Sequence, residues 1–205
     1  MIVILDYGMG NVGSIQNMIR KIGCRDVIIS RNPIAVENAD KLILPGVGAF
    51  DMGMESLERF GLIPLIRAHA LEKGRPLLGI CLGMQLLGEH SEEGRLPGLG
   101  LLPFRCVRFA PPAGSGLKVP HMGWDRTCIQ ADTPLTAGLE TKQRYYYVHS
   151  YHAICQDPSA VLMTCDYDGR FPSALYHGSV YGVQFHPEKS HLYGMKLLKN
   201  FVERC

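Results

Sequence analysis

The sequence predicts a three-layer α/β fold, with a mostly parallel central sheet, helices on both faces, and a smaller antiparallel sheet in the second half. Three observations carry that expectation. Up to residue 87, apolar runs of strand length alternate with stretches of helical period. Beyond residue 104, apolar runs follow one another with little helix between them. Between the halves, the apolar run Pro76-Leu77-Leu78-Gly79-Ile80 meets one cysteine, flanked two residues away on each side by glycine.

Residues 2–6 are an apolar run ending in Asp6 and read as a central strand. The loop Tyr7-Gly8-Met9-Gly10-Asn11 leads to a helix with Val12, Ile15, Ile19 and Ile22 on one face, and Gly23 as its C-cap. Residues 27–30 and 41–44 are further strands, the latter stopped by Pro45-Gly46-Val47-Gly48. Helices over about 52–60 and 62–73 precede the strand into Cys81. Residues 105–109, 118–121, 144–148, 161–165 and 180–185 read as strands, with Pro111-Pro112-Ala113-Gly114-Ser115-Gly116 as a loop. A last helix sets Leu192, Met195, Leu198 and Val202 on one face. Neither a repeat nor a linker divides the chain, so residues 1–205 are expected to form one domain. In parallel sheets ligands sit beyond the carboxyl ends of the strands, and Asp6, the Pro45-Gly46-Val47-Gly48 segment and Cys81 all fall at such ends.

With 205 residues, 46% hydrophobic and 20% charged, the chain is long and apolar enough to bury a core. A net charge of +2 without a long basic run argues against nucleic acid as the main partner. No apolar stretch is long enough to span a bilayer, and the first strand begins at Ile2, leaving no room for a leader. Seven cysteines (24, 81, 106, 128, 155, 165 and 205) form no C-x-x-C pair, so neither a zinc knuckle nor a disulfide framework is expected. The expected compartment is the cytoplasm, and no cofactor or metal is called for.

Gly79-Ile80-Cys81-Leu82-Gly83 is a nucleophile elbow with sulfur in place of the serine oxygen. Such a strand-to-helix turn strains the nucleophile's backbone, keeps neighbouring side chains clear, and sets the sulfur where a helix dipole favours negative charge. A thiol nucleophile needs a base, and His186 stands out among eight histidines. It follows the run Tyr181-Gly182-Val183-Gln184-Phe185, is stiffened by Pro187, and has Glu188 two residues on to fix its tautomer. The glycine-rich Pro45-Gly46-Val47-Gly48 segment can rotate a peptide and aim an N–H at a developing oxyanion, with the Leu82 N–H as the second donor. Plainer readings stand beside these: a buried core cysteine, a surface histidine and a tight turn.

The elbow, with Gly182-Val183-Gln184-Phe185-His186-Pro187-Glu188, resembles the class I (triad) glutamine amidotransferases, whose core is flavodoxin-like. Further blocks narrow the resemblance: Asp6-Tyr7-Gly8-Met9-Gly10-Asn11, Pro45-Gly46-Val47-Gly48-Ala49-Phe50, Val119-Pro120-His121-Met122-Gly123-Trp124 and Tyr147-Val148-His149-Ser150-Tyr151. Together they are similar to the glutaminase subunits of imidazole glycerol phosphate synthase, in histidine biosynthesis, over essentially the whole chain. The resemblance implies that Cys81 attacks glutamine, that His186 and Glu188 complete the triad, and that the peptides of Val47, Gly48 and Leu82 form the oxyanion hole. It implies that Gln85, Glu93, His149, Ser150 and Tyr151 hold the substrate. It further implies a heterodimer in which ammonia passes through a (β/α)8 barrel cyclase subunit, with Asn11, Trp124, Tyr146 and Lys189 near the interface. Asp125 stands where the family usually has asparagine, which sets an acid beside that contact and leaves open a paralogous barrel partner, such as one making amidino groups on surface sugars.

Two rivals come from other classes. Gly8-Met9-Gly10-Asn11-Val12-Gly13 is a literal G-x-G-x-x-G, but the second strand ends at Ser30-Arg31 without the acid a dinucleotide fingerprint expects. A stand-alone thiol hydrolase would share the elbow but has no need of the His-Pro-Glu block.

Overall fold

A computed structural model describes residues 1–205. The first half runs β1 (Ile2–Leu5), α1 (Val12–Lys21), β2 (Val27–Ser30), α2 (Pro33–Glu37), β3 (Lys41–Gly46), α3 (Phe50–Arg59), α4 (Leu62–Arg67), β4 (Leu77–Cys81) and α5 (Leu82–Leu87). The second half runs β5 (His90–Ser91), β6 (Phe104–Arg108), β7 (His121–Ile129), β8 (Lys142–His149), β9 (Tyr151–Cys155), β10 (Val161–Tyr167), β11 (Gly169–His177), β12 (Val180–Val183) and α6 (His191–Arg204).

Nine strands form one sheet in the order β2-β1-β3-β4-β12-β11-β10-β7-β8, and β5, β6 and β9 form a second. From β2 to β12 every pairing is parallel, and from β12 to β8 every pairing is antiparallel. The α/β layering is as the sequence predicts. The difference is that most antiparallel strands extend the central sheet instead of forming their own, so this sheet is evenly mixed.

The period of two along the parallel strands builds both faces. Val3, Leu5, Leu42 and Leu44 pack with Val36, Phe50, Leu57 and Ile66 from α2, α3 and α4. Ile2, Ile4, Ile43 and Ile80 pack with Ile15 and Ile19 of α1 and with Leu197, Leu198 and Phe201 of α6. The C-terminus of α6 is tied to the sheet by Lys41, whose Nζ donates to the carbonyls of Phe201, Val202 and Cys205 at 2.9, 2.7 and 2.8 Å.

Several expectations are corrected. The helix expected over 62–73 ends as α-helix at Arg67 and continues as a wider turn over Ala68–Glu72. The strand expected at 118–121 begins only at His121 and runs to Ile129, because alternation around Gly123 and three polar or charged neighbours hides it from an apolar-run reading. The last helix buries Leu197, Leu198 and Phe201, while Leu192 is 71% exposed, so its inward stripe is rotated from the one expected. Strands β9 and β11 and helix α2 were not expected. Pro172 and Gly169 disguise β11, and its pairing with β10 slips in register near Met163 and Thr164, just where the proline has no N–H to give. Pro33 opens α2, whose first N–H groups, on Ile34 and Ala35, donate to Asn32 Oδ1.

Candidate active site

Cys81 closes β4 at φ +55° and ψ −112°, outside the regions side chains ordinarily occupy. Such a conformation costs about 1–3 kcal/mol and persists only where packing enforces it. The two flanking glycines provide that packing. A Cβ on Gly83 would lie 1.8 Å from the Leu44 carbonyl oxygen, and one on Gly79 would lie 2.8 Å from the Gly83 oxygen. The elbow is thus seated backbone against backbone on β3, whose Gly46 pairs in register with Cys81. The Tyr7 hydroxyl donates to Pro45 O at 2.6 Å, and the Ser56 hydroxyl donates to Tyr7 O, so the chain entering Val47 is held from below.

Beside the sulfur lies a cavity of about 290 Å³ lined by Val47, Gly48, Cys81, Leu82, Gln85, Glu93, His149, Ser150, Tyr151 and His186, with Pro120 and Val148 completing the wall. Every residue expected to act as nucleophile, base, oxyanion donor or substrate contact therefore borders one space. Glu188 stands behind it: His186 Nδ1–H donates to Glu188 Oε1 at 2.8 Å, with the two side chains 1% and 2% exposed. The other ring nitrogen, Nε2, is buried without a hydrogen-bond partner in the wall that Cys81 shares. Burial opposes a charged ring here, but the adjoining Cys81 sulfur and Glu188 carboxylate outweigh it and lift the His186 pKa to about 10. The backbone of His186 is strapped to β8. Its N–H donates to Tyr146 O at 2.9 Å, and its carbonyl accepts from the Ser190 hydroxyl, whose oxygen accepts from Tyr146 N–H at 3.0 Å.

The substrate wall is held from inside. Gln85 Nε2 donates to Tyr151 O at 3.2 Å and to Gln184 Oε1 at 3.1 Å. His149 Nδ1–H donates to the same Tyr151 oxygen at 2.7 Å, and burial pushes the His149 pKa down to about 3. Glu93 Oε2 accepts from Phe50 N–H at 3.0 Å, and burial raises its pKa against that bond. Gln184 has no role in the sequence reading, yet it is fully buried and its Nε2 lies 3.8 Å from the Cys81 sulfur. Its signal was an amide interrupting the apolar run that leads out of β12 to Phe185, since a buried amide must find partners.

Trp124, Tyr146 and Lys189 gather on one surface. The Trp124 ring stacks on His191 at 5.5 Å and meets Tyr146 edge-on, and Lys189 Nζ sits 5.8 Å from the Tyr146 ring. Asn11 caps α1, accepting from Ser14 N–H, and Ser14 shares a cleft with Glu188 and His191. Asp125 differs in direction: alternation along β7 turns it to the opposite face from Met122, Trp124 and Arg126. There it meets His121 Nε2 at 3.3 Å, so this chain itself supplies a partner for the acid. Of the glycines in the G-x-G-x-x-G loop, Gly10 serves packing, while Gly8 and Gly13 face open space. A Cβ on Gly10 would press on Pro45 and Gly46 at 3.2 Å, and Arg31 lies over the Phe60 ring at 4.4 Å.

A parallel-sheet elbow bearing a cysteine, with a glutamate-anchored histidine delivered by the neighbouring strand, defines a class. The chain belongs to the class-I glutamine amidotransferase family, whose pattern it matches over residues 3–205. Among its relatives is the imidazole glycerol phosphate synthase subunit HisH 2 of Methanococcus maripaludis, 50% identical over the whole of both chains. The HisH 2 subunit of Pseudomonas aeruginosa is 45% identical over 99% of each chain. The HisH subunit of Geobacillus kaustophilus is 47% identical over 98% of this chain and 96% of its own. The fold is shared with PurLQS from Thermotoga maritima, at a TM-score of 0.72 and 22% identity, covering 98% of this chain and 96% of that one.

Proposed function

We propose that this chain is the glutaminase subunit of an imidazole glycerol phosphate synthase, one domain over residues 1–205 acting in the cytoplasm beside a barrel-shaped cyclase. It hydrolyses glutamine to glutamate and ammonia. The observation that carries the reading is the strained Cys81 sharing a cavity wall with an imidazole locked by a buried carboxylate.

Each step follows from the groups present. The substrate carboxamide lies in the cavity between Gln85, Glu93 and the backbone of His149, Ser150 and Tyr151. The Cys81 thiol passes its proton to His186 Nε2 and its sulfur attacks the amide carbon, while the peptides of Leu82 and of the Val47-Gly48 segment receive the charge on oxygen. Losing one such donor typically costs about 3–4 kcal/mol in the transition state. The imidazolium of His186 holds its proton at neutral pH and delivers it from Nε2 to the departing nitrogen. The C–N bond breaks, a C–S bond remains, and ammonia leaves. Neutral His186 then takes a proton from water, whose oxygen displaces the sulfur and releases glutamate. Glu188 keeps the ring in one tautomer throughout. Ammonia passes into the docked barrel across the surface of Asn11, Trp124, Tyr146 and Lys189, and so escapes protonation in bulk water.

One observation favours a second acceptor. Two of the relatives carry the name HisH 2, and the resemblance leads one to expect asparagine where this chain has Asp125. A paralogous barrel that aminates another substrate is the reading it supports. Glutamate release is to be measured for the chain alone, with the histidine-pathway cyclase, and with that cyclase plus its nucleotide ligand. A large rise in the third case supports the histidine assignment. No rise, with hydrolysis intact in the chain, points to the paralogue, and no hydrolysis in any case overturns the glutaminase reading.

A further inference from the structure

The antiparallel half holds a cluster that glutamine chemistry does not use. Along β7, His121, Asp125 and Thr127 share the inward face, with Gly123 between the first two. A Cβ on Gly123 would meet nothing within 4 Å, so no atom of that residue stands in the way where the His121 and Asp125 side chains reach one another. Cys165, on the neighbouring β10, turns into the same region. One donor atom from each of His121, Asp125 and Cys165 lies within 4.8 Å of the others. The His121 ring is clamped between Tyr147 and Tyr167, at centroid distances of 4.7 and 4.0 Å.

Hydrogen bonds decide which nitrogen of His121 is bare. The carbonyl of Tyr151 only accepts, so His149 Nδ1, 2.7 Å away, carries the proton. His149 Nε2 is then an acceptor, and the His121 Nδ1 that faces it at 3.0 Å is the donor. A neutral His121 is therefore left with a lone pair on Nε2, directed at Asp125 Oδ2 at 3.3 Å. Two electron-rich atoms face one another beside a thiol, and the arrangement calls for positive charge between them. A shared proton is one answer, and a cation bound also by Cys165 is the other, since the thiol reaches the same space.

We propose that His121 Nε2, the Asp125 carboxylate and Cys165 Sγ form a site for one divalent cation of the zinc class, with water as fourth ligand. The donor set is one that zinc accepts. As the S–metal bond forms, the Cys165 thiol gives its proton to solvent. Thiolate and carboxylate then balance the two positive charges. Tetrahedral zinc holds such donors roughly 3.3–3.6 Å apart, so the cluster closes by about 1 Å on loading. The supporting shell is built: His121 donates its other N–H to His149, and Asp125 Oδ1 accepts from Arg126 N–H at 2.6 Å. Asp125, with 34% of its side chain exposed, is the way in.

The test uses the full chain carrying Cys81→Ser, which removes the pocket sulfur from competition. Titration with cobalt(II) is expected to fill one equivalent, with a sulfur-to-cobalt charge-transfer band and the visible bands of tetrahedral cobalt, both lost on adding zinc. Adding Cys165→Ser removes the charge-transfer band. Adding Asp125→Asn, a change on a half-exposed side chain that leaves the fold intact by circular dichroism, weakens binding about tenfold or more. Absence of a stoichiometric cobalt spectrum overturns the proposal. So do bands unchanged by both substitutions, which place the metal on another cysteine.

Discussion

At Cys81 the sulfur and the backbone make separate contributions that substitution separates. Cys81→Ala is expected to abolish glutamate release while leaving the fold intact by circular dichroism, because alanine keeps the same strained φ. Cys81→Gly is equally inactive but free of that strain, and in urea denaturation it should exceed Cys81→Ala by about 1–3 kcal/mol. Wild-type turnover in either variant removes the nucleophile. The histidines give opposite pH signatures. His186 binds its proton more tightly folded, at about 10, than unfolded, so its contribution is complete below about 6.5 and fades as pH rises toward 10. The stability gap between wild type and His186→Gln should therefore shrink over that range. His149 resists protonation down to about 3, so the unfolded chain takes up the proton first and stability falls as pH drops below about 6.5. Denaturant midpoints measured across both ranges check the two slopes. Cys81, His186 and Glu188 were legible because glycine, proline and a two-residue spacing mark them. Gln184 was not, since a role set by contacts across a sheet leaves only a misplaced amide in the sequence.

Among the elements, the parallel half was largely legible because β1, β3 and β4 bury both faces and so read as apolar runs. The antiparallel half was legible only in part, since β6, β8, β10 and β12 were expected while β9, β11 and most of β7 were not. Strands β7 and β8 alternate between core and surface, β11 contains a proline, and nothing local says that β12 joins both halves. Two junctions between elements can be tested. Gly83→Ala forces a Cβ into the Leu44 carbonyl on β3, and the expected result is a drop in Tm together with lost hydrolysis, because the elbow can no longer sit on that strand. Lys41→Met removes three donors from the end of α6. The site is half-exposed, which screens the charge, so the expected loss is about 1 kcal/mol, read from denaturant midpoints, with faster amide exchange in the last turn.

For the whole molecule, the proposed docking surface of Trp124, Tyr146 and Lys189 is where experiment can separate partner binding from catalysis. Trp124→Ala is expected to weaken the barrel complex by about 2 kcal/mol, roughly thirtyfold in Kd, with basal hydrolysis by the isolated chain unchanged. Calorimetric titration with the barrel subunit measures it. Residues 122–126 also show how far sequence alone reaches: Trp124 and Asp125 are neighbours in the chain, yet their side chains lie on opposite faces of β7. The strap between His186 and Tyr146 has a mechanical corollary. Tyr146 turns its ring toward Trp124 and Lys189 and holds the main chain of His186 with its peptide. On the proposed reading, a subunit seated against that ring would bear on the main chain that aims Nε2 with no relay through the interior.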